Sequence, residues 1–167
     1  LAYGVSEHDL CLEIDLLTRS QRPIKLNGLS IREYGDDKSA YLAFGVNTPH
    51  PHLSKFAQQY VETFHAYSAP LDENDLIRRR QQNLTPRQEE LLLRWGYPYV
   101  FEQFKFHMTL SGNVLELLPQ QKQYLISGAT HYFAQLPTLS LDGLGLFCEP
   151  CEGEPFELVK YWALEKQ

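Results

Sequence analysis

The sequence predicts an α+β fold of antiparallel sheets flanked by helices, with a pattern that suggests a pseudo-symmetric duplication. Three observations point there. Stretches with helical periodicity alternate with short period-two stretches along the whole chain. The segment Leu26-Asn27-Gly28-Leu29-Ser30-Ile31 is echoed by Leu141-Asp142-Gly143-Leu144-Gly145-Leu146. The apolar fraction of 43%, with ten Tyr, nine Phe and two Trp, belongs to a packed core and not to a disordered chain.

Each element follows from local chemistry. Ser6 caps a helix over 7–18, with Asp9 at capping-box spacing and Leu10, Ile14 and Leu17 as its apolar stripe. Residues 23–34 and 39–46 read as two strands joined through Gly35-Asp36-Asp37. A helix begins after Pro49 or Pro51 and runs to about His65, carrying Leu53, Phe56, Tyr60 and Phe64 on one side. Asp72 opens a short charged helix through Arg80. Thr85-Pro86-Arg87-Gln88 starts another, with Thr as cap, Pro in the first turn and Gln reaching back, and Gly96 ends it. Residues 101–111 read as a strand, 119–134 as a helix, and 137–148 and 155–164 as strands.

A length of 167 residues suits one domain over 1–167. The formal charge of −6 argues against broad nucleic-acid binding, though not against one small anion in a locally basic cleft. No apolar run approaches the ~20 residues of a membrane span, and the N-terminus lacks the pattern of a signal peptide. Cys11, Cys148 and Cys151 are too few for a disulfide framework, which points to a reducing, cytoplasmic setting. The sequence does not open on Met, and Met108 is the one Met it contains, so a fragment or a processed form is expected.

The two echoed segments are offset by 115 residues (141 − 26). Each follows a candidate helix and precedes a turn and another strand. Chance similarity of two glycine-containing strands accounts for six residues equally well. If the repeat holds, the counterpart of His107 falls at 107 − 115 = −8, just before Leu1.

In 101–111, apolar Phe104, Phe106, Met108 and Leu110 alternate with Gln103, Lys105, His107, Thr109 and Ser111, so one strand face carries all five polar side chains. His107 and Thr109 then stand about 7 Å apart at ~3.3 Å per residue and can address one ligand. Histidine can give or take a proton near neutral pH, a threonine hydroxyl can donate to a phosphoryl oxygen, and Lys105 adds positive charge. On spacing alone, a half-buried strand with a solvated polar face explains the pattern better.

Phe106-His107-Met108-Thr109-Leu110 is similar to the His-x-Thr/Ser motif of the two-histidine (2H) phosphoesterases. The wider block of Arg78-Arg79-Arg80, Leu84-Thr85-Pro86-Arg87-Gln88, Trp95-Gly96-Tyr97-Pro98-Tyr99 and Phe104-Lys105-Phe106-His107-Met108-Thr109-Leu110 resembles one branch, the phosphonate-metabolism proteins encoded beside carbon–phosphorus lyase genes. The resemblance covers essentially the whole chain and is strongest over 70–112. It implies a bilobal, pseudo-twofold fold in which two His-x-Thr strands face each other across a cleft. Residues 1–38 would be the remainder of the first lobe and 39–167 the second, with a helical insertion at about 70–98. It also implies cofactor-free, metal-independent attack on a cyclic phosphodiester or related ester. One His would activate water, the other would protonate the leaving oxygen, and Thr would hold phosphoryl oxygens. The chain departs from the pattern at one point. His8, His50 and His65 are followed two residues on by Leu10, His52 and Tyr67, and the one His-x-Ser before His107, His52-Leu53-Ser54, falls in the helix expected after Pro49 or Pro51, so no second His-x-Thr/Ser on an expected strand precedes His107.

The expected catalytic pair is therefore His107 and Thr109, with Lys105, Arg87, Tyr97 and Tyr99 as substrate-binding candidates. Arg78, Arg79, Arg80, Arg87 and Arg94 could supply positive potential, but helix geometry keeps Arg78–Arg80 from sharing one ligand, and ordinary ion pairs explain any single one equally well. Tyr97 and Tyr99 could line a sugar or base pocket, or simply close the loop. His50-Pro51-His52 reads as a helix start and not a metal site. Cys148-x-x-Cys151 reads as a hairpin turn, with a reactive dithiol as the lesser alternative. His131 is expected to pack near the end of its helix. The ligand expected is a small phosphorylated sugar or nucleotide, probed either by a phosphoesterase or by a non-catalytic binding protein on the same fold. RNA-end processing fits the acidic balance less well.

Overall fold

A computed structural model describes residues 4–46, 50–151 and 153–164. The first helix, α1 (Glu7–Arg19), starts where Ser6 and Asp9 form a reciprocal capping box, and it buries Leu10 and Ile14. The first long predicted strand is broken at the Asn27-Gly28 turn into β1 (Ile24–Lys25) and β2 (Leu29–Gly35). Gly28 has φ of 68°, which suits glycine. β2 turns into β3 (Ala40–Val46) through 36–39, where the Asp36 carboxylate accepts from the Lys38 and Ser39 backbone N–H groups. Residue 38 thus lies inside a hairpin.

Proline at the first turn and the His50 ring, which accepts from the Leu53 N–H, start α2 (Pro51–Phe64). Asp72 caps α3 (Glu73–Arg80), and the Thr85–Gln88 capping box opens α4 (Pro86–Trp95), which left-handed Gly96 ends. Next come β4 (His107–Thr109), α5 (Pro119–Ala134), β5 (Ser140–Leu141), β6 (Gly143–Cys148) and β7 (Glu157–Ala163). The result is a mixed α+β fold with five α-helices and antiparallel sheets among the described residues.

Three sheets form: β1–β5, β2–β3–β4 and β6–β7. Alternation in β3 sends Leu42 and Phe44 to one face, where they join Ile31 and Val114 under Phe133 and Ile126 of α5. Phe44 stacks on Phe133 with ring centroids 4.7 Å apart. α1 lies against β7 instead. No helix among the described residues is long and apolar enough to cross a membrane.

The 115-residue offset reappears in three places. It carries α1 (7–19) onto 122–134, the closing part of α5. In the β1–β5 ladder it carries Lys25 onto its own partner Ser140, and it exchanges the flanking pairs Ile24–Leu141 and Leu26–Leu139. The pairs Arg32–Ala43 and Glu33–Leu42 map onto Phe147–Leu158 and Cys148–Glu157, which are also ladder partners. Beyond these the second hairpin has one extra residue, Val159, at a bulge.

Two expectations fail here. The strand forecast over 101–111 is only three residues long, because 101–103 form a 3-10 turn and Phe101 adopts φ of 54°. His131 sits in the last turn of α5 but is exposed, since α5 buries the opposite side, through Ile126, Ala129 and Phe133.

Candidate functional site

β4 is held in place by β3, with Gly45 opposite His107 and Ala43 opposite Thr109. The face away from α5 therefore carries Tyr41 and Gly45 of β3, Arg32 and Tyr34 of β2, and His107 and Thr109 of β4. His107 and Thr109 are exposed on it, and Met108 between them packs against the core. Leu110, expected inside, is 40% exposed: its backbone still bonds to Leu42 O, but the strand has ended. Ser111 leaves the face too, because its hydroxyl accepts from the Leu42 N–H.

Gly45 is needed where it stands. A Cβ there would lie 2.1 Å from the Tyr34 hydroxyl, since the Tyr34 ring crosses the strand at that point and stacks on His107 at 5.1 Å. Tyr41 Oη lies 3.1 Å from His107 Nε2. His107 Nδ1 lies 2.8 Å from the Lys105 carbonyl. A carbonyl can only accept, so Nδ1 carries the proton, and Nε2 presents a lone pair that accepts from the Tyr41 hydroxyl. Burial, with nearby Tyr97 and Tyr34, pushes the Tyr41 phenol up, so it stays a neutral donor.

The other sequence candidates divide into two groups. Tyr97 and Tyr99 pack edge to face at 5.6 Å and lie close enough to Tyr41 for Tyr97 to raise its pKa. Each is also structurally engaged: Arg79 sits over the Tyr97 ring at 5.0 Å, and the Tyr99 hydroxyl donates to Gln82. Lys105 and Arg87 lie elsewhere, in a cavity of about 1060 Å³ bounded by β2, α2, α4 and residues 101–106. Arg87 is held there by Glu102 at 2.5 Å and Glu90 at 2.8 Å, which raises its pKa further and depresses that of Glu102. His107 and Thr109 do not line this cavity; Tyr34 does, and it touches both places. Three of the remaining arginines go to local contacts, Arg78 to Asp75, Arg80 to Glu89 and Arg79 to Tyr97. His50 is the α2 cap, Cys148 and Cys151 are free and exposed, and no group of three metal-ligating side chains occurs among the described residues.

The model of the DUF1045 family, described as a protein of unknown function, matches residues 1–157. The chain belongs to the DUF1045 family. Two curated relatives extend the comparison. A protein of Janthinobacterium sp. (strain Marseille), named ribose 1,5-bisphosphate phosphokinase PhnN, is 32% identical over 156 residues, covering 92% of this chain and 34% of its own length. One of the same name from Laribacter hongkongensis (strain HLHK9) is 40% identical over 83 residues, covering 48% of this chain and 19% of its own. The chain thus spans about a third or less of the length of these relatives. No solved structure matches it.

In this DUF1045 chain, sequence reasoning singled out His107, Thr109 and Lys105 but not Tyr34, Tyr41 and Arg32, which share the open sheet face with His107. A signal existed. Tyr41 and Gly45 share a parity in the predicted strand 39–46, and a glycine amid apolar residues marks a place where another group comes close. The pairing of that strand with His107 was not legible, because it joins residues more than sixty positions apart.

Proposed function

We propose that this chain forms most of a two-lobed phosphoesterase of the two-histidine type, acting without metal on a cyclic phosphate of a sugar or nucleotide in phosphonate metabolism. The observation that carries the reading is the tethering of His107: Nδ1–H is fixed on the Lys105 carbonyl, and Nε2 accepts from the Tyr41 hydroxyl on the exposed sheet face. A histidine so held can take a proton from water or return one to a leaving oxygen. Thr109, on the same face, would donate to a phosphoryl oxygen, and Tyr41 would yield its bond to Nε2 when substrate arrives.

In this reading the shared offset reflects a pseudo-twofold. One lobe consists of β2, β3, β4 and α5, and the other of α1, β6 and β7, with β1 and β5 joining them and about 70–98 as a helical insertion. A counterpart of β4 at the same offset would fall at −8 to −6 and would add to β7 beside Leu158, bringing the second histidine. Phosphorylated ribose is the favoured ligand class, supported by the names of the relatives. Their phosphokinase activity is not carried over, because the 167 residues contain no Gly-x-x-x-x-Gly-Lys-Ser/Thr phosphate loop. The free cysteines fit a cytoplasmic setting.

One observation favours the alternative of a non-catalytic binding protein. The cavity of about 1060 Å³ is lined by Arg32 and Lys105 but not by His107. Phosphomonoester release from a panel of cyclic phosphates by the full-length chain, with and without EDTA, separates the two. Turnover that resists EDTA and disappears in His107→Ala supports the phosphoesterase. Turnover that survives His107→Ala, or that EDTA abolishes, overturns it. Binding without turnover favours the alternative.

A further inference from the structure

Three cations line the cavity beside Tyr34 without a carboxylate partner. Among the described residues Arg32 donates only to the Ser30 hydroxyl, at 3.3 Å, Arg94 lies over the Trp95 ring at 5.2 Å, and Lys105 makes no ion pair. The carboxylates there are otherwise occupied: Glu102 holds Arg87, Glu33 holds Lys122 at 2.8 Å, and Glu62 accepts from Gln58. Proteins usually neutralise clustered cations or leave them to a ligand. Phe101 adds a second observation. This bulky residue is held at φ of 54°, a conformation that L side chains rarely adopt, and it lines the same cavity as Phe104, Lys105 and Phe106.

We propose that this cavity is an anion subsite for a second phosphate of the ligand, held by Arg32, Arg94 and Lys105, so that the ligand is a sugar bisphosphate or a cyclic phosphate carrying a further phosphate. The inference deepens the His107 reading and rests on it for the position of the first phosphate. Two features join the sites. Tyr34 lines the cavity and its ring stacks on His107 at 5.1 Å, so one residue borders both places, a gap that a sugar ring can span. Lys105 belongs to both, since it lines the cavity and its carbonyl accepts from His107 Nδ1. A phosphate on Lys105 would therefore also steady the residue that orients His107.

The test uses the full-length chain and titration calorimetry with ribose 1,5-bisphosphate, ribose 1-phosphate and ribose 5-phosphate. The bisphosphate should bind about tenfold or more tightly than either monophosphate, the effect of one added charge-assisted contact. Arg32→Gln and Lys105→Gln, both at exposed positions, should each reduce that ratio, and the double variant should abolish it. Arg94→Gln is a third route if either variant folds poorly. His107→Ala should leave the ratio intact, so a chain that binds with the expected ratio but never turns over cyclic phosphates would sink the phosphoesterase and keep the subsite. Equal binding of mono- and bisphosphate, a ratio that survives the double variant, or no binding of any of the three at millimolar concentration would overturn the subsite.

Discussion

The two long hairpins of this chain share a register but not an environment. In β2–β3, the central strand is flanked on both edges, backed by α5 and almost wholly buried. In β6–β7, the counterpart strand has one partner among the described residues, and every residue of it except Trp162 is exposed. The ladder makes Leu158 the equivalent of Ala43, yet Leu158 is 55% exposed while Ala43 is 0% exposed. An apolar strand left open on one edge invites pairing. The difference between the hairpins is the addition of β4, the strand that carries His107. What the second hairpin lacks among the described residues is a third strand of the kind that places His107 beside the first.

The largest expected effect tests the chemical half of this comparison. His107→Ala in the full-length chain should lower turnover of a cyclic phosphate by about 10²–10⁴-fold, the usual worth of a positioned acid–base group. The melting temperature should barely move, because His107 is exposed and its contacts are at the surface. A large fall in melting temperature together with activity would mean that the residue is structural.

The next effect tests the packing half. Phe44→Ala removes a buried ring stacked on Phe133 and should cost about 3–5 kcal/mol in urea unfolding. Leu158→Ala should cost less than about 1 kcal/mol in the chain of 167 residues. In a longer chain that supplies a strand along β7, the Leu158 cost should rise. If it stays the same, β7 is a true edge and the symmetry argument loses its main support.

Much of this contrast was legible in the sequence. Capping residues located α1, α3 and α4 because Ser6, Asp72 and Thr85 act on backbone groups within a few positions. The echo of Leu26–Ile31 in Leu141–Leu146 gave an offset that also maps α1 onto α5, but nothing local told that β1 and β5 would pair with each other. The Lys105–Thr109 alternation was legible, while its shortness was not: Phe101 leaves the strand conformation, and propensity gives no warning of that. Tyr34, Tyr41 and Arg32 reach the site only through sheet register, a long-range property.

A smaller effect separates the site from its scaffold. Gly45→Ala would push the Tyr34 hydroxyl away, since a Cβ has no room beneath it. The hydroxyl is the far end of the Tyr34 side chain and can shift, but the Phe106 carbonyl at 3.1 Å leaves the new methyl little room, so the stability cost should be about 1–3 kcal/mol. Loss of its stacking on His107 should lower turnover more than the stability change explains. The ladder equivalent of Gly45 in the second hairpin is Tyr161, which is exposed, and Tyr161→Ala should lower turnover of the full-length chain less than Gly45→Ala does. Equal effects at both positions would erase the distinction between the hairpins.

The smallest effect at neutral pH lies on the second side, where Tyr60 of α2 borders the groove between α1 and β6. Its ring packs on Phe56 at 4.7 Å and Phe64 at 5.7 Å, and its buried hydroxyl has no partner among the described residues. Burial pushes its pKa up to about 12 from the ordinary 10. The sign follows from linkage. Below pH 10 both the folded and the unfolded chain keep the phenol protonated, and Tyr60 contributes no slope. Between about 10 and 12 the unfolded chain ionises and the folded one resists, so stability falls as pH rises. Tyr60→Phe removes the titrating group and the unpaired hydroxyl together. At pH 7 it should be neutral or slightly stabilising, because removing a buried donor that lacks a partner costs little. Above pH 10 its melting temperature should fall less steeply than that of the parent chain, a difference that scanning calorimetry at pH 7, 10 and 11 reads directly. A variant that melts lower at pH 7 would mean that the hydroxyl has a partner in solution, and that this groove is more completely built than its exposed neighbours on β7 suggest.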